Sequence, residues 1–64
     1  MTTTQERMPP EEIKAARARL HLSQMGLANA IGAHVATIIA WENGRNPISG
    51  PADTAIRLML ERLP

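Results

Sequence analysis

Few residues in this 64-residue chain could do chemistry. His21 and His34 stand thirteen positions apart, with no ligand paired to either in helical register. There is no cysteine, which removes disulfides, iron–sulfur clusters and thiolate zinc sites together. Glu11 and Glu12 are neighbours, so on a helix their carboxylates leave on different sides and cannot face each other as acid and base. No Ser-His-Asp spacing and no glycine-rich phosphate loop occurs. Enzyme readings therefore lack parts, and neither a metal nor a cofactor is expected. Binding is the remaining option. Seven Lys/Arg stand against six Asp/Glu, a net charge of +1. That is mildly basic, short of a polybasic tail or a membrane anchor.

The elements that must position these groups are helical. Ala, Leu, Met, Glu and Arg dominate, Trp41 is the only aromatic residue, and no segment alternates as a strand would. The longest apolar run, 36–41, is broken by Thr37 and is far shorter than the roughly 20 residues of a membrane span. Residues 1–8 are polar and Thr-rich, without the basic start and apolar stretch of a signal peptide. They read as a disordered tail on a cytoplasmic protein. Pro9-Pro10-Glu11-Glu12 starts a first helix, carried by Ile13, Ala16 and Leu20 to about Leu20 or His21. Ser23 caps a second, with Met25, Leu27, Ala28 and Ile31, and Gly32 ends it. A third begins near His34 or Val35, turns Ile38 and Trp41 inward, and stops at Asn43-Gly44. Residues 46–50 form a loop, and a last helix starts at Pro51 and runs to about Leu63.

Leu22-Ser23-Gln24, Leu27-Ala28, Ile31-Gly32, Ile38 and Trp41-Glu42-Asn43-Gly44, followed by Pro47, form one ordered set. It resembles the Cro and phage-repressor type of helix-turn-helix, also called the xenobiotic-response-element type. The likeness covers residues 13–47 and continues towards Leu63. It implies an all-α, compact four- to five-helix lambda-repressor-like domain over residues 9–64, with the third helix in the major groove of double-stranded DNA. By the same resemblance, His34, Val35, Ala36, Thr37 and Ala40 face bases, with Ile39 beside them, while Gln24, Asn43, Arg45 and Asn46 meet phosphates. It also implies a structural ion pair between Arg17 and Glu42. Blander readings stay open for three residues: Arg17 on a solvated helix face, His34 as a turn residue and Arg45 as a loop charge. Val, Ala and Ile neither donate nor accept a hydrogen bond, so bidentate base pairing is absent at those positions. Thymine methyls, the Thr37 hydroxyl, and DNA shape and deformability remain to be read.

The last helix points to a partner. Ile56, Met59 and Leu63 make one stripe, Ala52 and Ala55 extend it, and Leu58 and Leu60 fall outside. A second buried face is expected, most simply a homodimer through Leu58 and Leu60 that sets two recognition helices about 34 Å apart. The alternative is a hydrophobic remnant of a longer chain. The expected function is a sequence-specific DNA-binding transcriptional regulator: a small autorepressor of antitoxin, phage-repressor or anti-CRISPR-associated type on a pseudo-palindromic operator. A protein–protein module of the same fold is the alternative, such as a toxin-neutralising antitoxin with weak or no DNA reading that docks through Val35, Ala36, Ile39 and Ala40. A structural piece of a larger protein is the third reading.

Overall fold

The computed structural model describes residues 7–64. Four helices follow in order: α1 (Pro10–Arg19), α2 (Gln24–Ile31), α3 (Val35–Glu42) and α4 (Gly50–Glu61). No strand occurs among the described residues, and the architecture is all-α. Local chemistry explains the boundaries. Pro10 opens α1 with Glu11 and Glu12 in the first turn, where the amide dipoles favour acids. The Ser23 hydroxyl accepts from the Gly26 N–H at 2.9 Å, and the Ser49 hydroxyl accepts from that of Ala52 at 3.3 Å. His34 stands at the same position before α3 without a side-chain cap.

Three helices end through a left-handed residue: His21 (φ 57°) after α1, Gly32 (φ 74°) after α2 and Gly44 (φ 75°) after α3. After α1 the Leu22 N–H bonds the Arg17 carbonyl at 3.1 Å and the His21 N–H bonds that of Ala18 at 3.0 Å. The chain repeats this after α3, where Arg45 reaches the Ala40 carbonyl at 2.9 Å and Gly44 that of Trp41 at 3.2 Å. Both are Schellman closures, which give the last helical carbonyls their partners. Glycine adopts that backbone freely. His21 does not, because its Cβ crowds the following carbonyl at a cost of about 1–2 kcal/mol.

The core gathers Ile13 and Ala16 of α1, Leu27 and Ala28 of α2, Ile38 and Trp41 of α3 and Ile56 of α4. Ile48 closes it from the loop after α3. α3 is thus held between α2 and α1, with α4 behind them. Leu27, Ile38 and Ile56 have no exposed surface.

Two expectations are corrected here. The tail assigned to residues 1–8 loses its end to the folded body. Met8 is 5% exposed in the core, and its N–H bonds the Asp53 carboxylate at 3.1 Å. Arg7 also donates to the Ile48 carbonyl at 3.2 Å. Asp53 is the cause: buried on the first turns of α4, it pairs with Arg57 at 3.0 Å and offers its other oxygen to Met8. Residues 1–6 lie outside the described residues. Leu60, in turn, is half-buried and packs against the core, because it follows Asp53 and Ile56 on one face at i, i+3 and i+7. Leu58 stays outside that face and is 47% exposed. No helix among the described residues is long and apolar enough to cross a membrane.

Candidate nucleic-acid interface

A buried polar cluster fixes α3 in place. The Arg17 guanidinium meets the Glu42 carboxylate at two points, Nε to Oε2 at 2.7 Å and Nη2 to Oε1 at 3.0 Å. Its remaining nitrogen, Nη1, donates to the Leu22 carbonyl at 3.2 Å. One side chain therefore ties α1 to the end of α3 and to the turn that leads into α2. The Glu42 side chain is 2% exposed, and the Gln24 amide supplies its third bond at 3.1 Å. Burial pushes the Glu42 carboxyl up, yet the bonds from Arg17 and Gln24 and the charges of Arg17 and Lys14 outweigh it. The net effect holds Glu42 below its ordinary pKa. The bond to Glu42 raises Arg17 in turn, against its own partial burial.

Gln24 thereby changes role. Its amide nitrogen, expected at a phosphate, donates inward to Glu42. What the first turn of α2 offers an anion is backbone: the N–H groups of Gln24 and Met25 precede the first intrahelical bond.

The outer surface of α3 is apolar. His34 and Ala36 are exposed, Val35 and Thr37 are half-buried, and Ile39 is 37% exposed. Ala40 departs from its expected base-facing role: at 8% exposure it has little surface to offer a base. The N–H groups of Arg45 and Asn46 both return to the Ala40 carbonyl and bring the chain back to the end of α3. Val35 also packs partly on the core. The structure thus leaves Ala36 and Ile39, the half-buried Val35 and Thr37, and His34 at the cap as the groups that α3 and its start can present. Asn43, Arg45 and Asn46 are exposed at the end of the helix and in the loop beyond it.

Charge completes the picture. From residue 23 to residue 48 the only charged residues are Glu42 and Arg45. Since Glu42 is enclosed, this stretch exposes no carboxylate to repel a phosphate. Among the described residues, no cluster of three His, Cys, Asp or Glu could hold a metal. Sequence reasoning missed two polar roles, the Gln24–Glu42 bond and Asp53. The first had no local signal. For Asp53, an acid in the first turns of a helix could only suggest dipole compensation.

A family model described as helix-turn-helix matches residues 13–59, spanning all of α2 and α3 and most of α1 and α4. No curated protein matches the chain.

Proposed function

Because the chain belongs to the Cro/C1-type helix-turn-helix family of DNA-binding regulators, we propose that it is a small autorepressor laying α3 in the major groove of a pseudo-palindromic operator. One observation carries this reading: the α2–α3 unit exposes no carboxylate, and polar groups stand at both ends of its apolar outer face. Phosphates are held by the backbone amides at the start of α2 and by Asn43, Arg45 and Asn46. α3 offers few side-chain donors to bases, so phosphates dominate the affinity. A homodimer through α4 sets the spacing of the half-sites, and Leu58 is its anchor. Operator binding places the action in the cytoplasm.

The apolar exposure of Ala36 and Ile39 favours a second reading, a toxin-neutralising module that docks protein there. Salt separates the two. Binding to the DNA upstream of the chain's own gene, followed by anisotropy from 50 to 200 mM salt, should weaken with a log–log slope of about −0.9 for each phosphate contact. Arg45→Ala should make that slope shallower by about 1. A flat profile refutes the DNA reading.

A further inference from the structure

We propose that α3 reads DNA through the C5-methyl groups of pyrimidines, thymine or 5-methylcytosine, and not through hydrogen bonds to base edges. This rests on the DNA-binding reading above and specifies its ligand. The side chains that α3 presents most openly beyond its cap are Ala36 and Ile39. Neither donates nor accepts a hydrogen bond. In the major groove, the base edges show donors and acceptors at every pair, and the C5-methyl is their one apolar feature. Seated over a G·C edge, Ala36 and Ile39 would strip water from polar atoms and return no bond, which is unfavourable. Over a methyl group they strand nothing. Attraction and avoidance therefore select the same sequences.

Geometry sets the spacing. Residues 36 and 39 are three apart on a helix, so their β-carbons lie about 5–6 Å from each other. Base pairs rise about 3.4 Å per step along one strand. The two contacted methyls thus fall on base pairs one or two steps apart in each half-site. Thr37 and His34 flank this pair and are the only polar side chains on the presented surface of α3 before its end.

DNA fits this face better than a protein does. Ala36 and Ile39 are the only exposed apolar side chains of α3, and Met25, 56% exposed, stands apart from them in the first turn of α2. Arg45 with Asn43 and Asn46 lies at one end and the free amides of α2 start the unit, which suits a groove floor walled by phosphates.

The test uses the full chain and a random duplex library. A selected duplex is compared with its uracil version, which keeps every hydrogen-bonding group and lacks only the methyl. Loss of one contacted methyl should weaken binding about four-fold, and loss of two in a half-site roughly 15-fold. Replacing the contacted T·A pairs by 5-methylcytosine·G should give tighter binding than plain C·G. Ile39→Ala should weaken binding to the thymine duplex and bring the thymine-to-uracil ratio towards one. A merely misfolded variant would lose both affinities equally and keep the ratio. Equal binding of thymine and uracil duplexes, with salt-dependent DNA binding intact, overturns methyl reading alone. Absence of duplex binding at every salt concentration overturns it together with the DNA-binding reading, and assigns the face to a protein partner.

Discussion

Arg17→Ala puts the buried cluster under the sharpest strain. The substitution removes two of the three hydrogen bonds that Glu42 accepts, at 2.7 and 3.0 Å, and leaves Gln24 at 3.1 Å as its one donor. It also takes the Nη1 donor from the Leu22 carbonyl. At 2% exposure, Glu42 cannot turn to water for replacements. Removing one partner of such a pair costs about 3–5 kcal/mol. The carboxyl has one escape, which is to bind a proton. For a group of ordinary pKa about 4.3, that costs about 3.7 kcal/mol at pH 7 and about 1 kcal/mol at pH 5. The expected loss is therefore about 3–4 kcal/mol at pH 7, against a total stability of about 3–10 kcal/mol for a chain of this length. The melting temperature should fall by roughly 12–30 °C.

The pH dependence reverses with the substitution. In the native protein Glu42 lies below its ordinary pKa, so its contribution is present above the unfolded value and is lost as pH falls through the folded one. In Arg17→Ala, burial without the guanidinium raises the carboxyl. Stability is then kept below the unfolded value and lost as pH rises through the folded one. The gap between the two proteins should shrink by about 2–3 kcal/mol from pH 7 to pH 5. Circular dichroism melts and urea titrations followed by Trp41 fluorescence measure it. Arg19→Ala, at an exposed position, is the control and should stay within about 0.5 kcal/mol. If the Arg17 and Arg19 variants melt together at pH 7, or the gap is unchanged at pH 5, the cluster does not hold α3 as described.

Further expectations concern other contacts. His21→Gly relieves the left-handed strain after α1 and should gain about 1 kcal/mol, a rise of about 4–8 °C in melting temperature; a fall would show that the imidazole itself supports the turn. Asp53→Ala leaves the buried Met8 N–H without an acceptor and should cost about 1–3 kcal/mol, with faster amide exchange at Met8. Unchanged exchange there would mean that Asp53 does not anchor the segment. Leu58→Glu should sediment as a monomer, keep its helicity and bind a two-half-site duplex far more weakly, while single half-site binding barely changes. A dimer that survives this change has its interface elsewhere. Leu60→Glu should instead lower the melting temperature, because Leu60 packs on the core.

The parts legible in sequence were those decided within a few residues. Ser23 and Ser49 accept from the N–H groups of residues three ahead, and Gly32 and Gly44 take left-handed turns, as their types and positions suggest. The inward faces of α2 and α3 follow the 3.6-residue period through Leu27, Ala28, Ile38 and Trp41. What was illegible depends on distant chain. Met8 reads as tail until Asp53, forty-five positions on, gives its N–H an acceptor. Ala40 reads as base-facing, yet the packed domain leaves it only 8% exposed. Gln24 sits where a phosphate ligand would, and only the placement of Glu42 turns its amide inward. His21 closes α1 in a left-handed conformation that histidine adopts more often than most residues but far less freely than glycine, so its type alone does not announce the turn.

The shortness of α3 carries a consequence for temperature. Eight residues are fewer than the roughly 12–15 an isolated helix needs to persist in water, so α3 exists only while Ile38, Trp41 and Glu42 are held by the rest of the chain. Unfolded molecules then have no residual grip on DNA through this helix, and apparent affinity falls in proportion to the folded fraction. If the proposed dimer forms, the effect multiplies, since both protomers must be folded at once. Warming through the melting transition would therefore release DNA over the roughly 20 °C in which a two-state chain of this size, with an unfolding enthalpy of about 45 kcal/mol, loses its folded population. Occupancy would then act as a thermometer set by the stability of the fold.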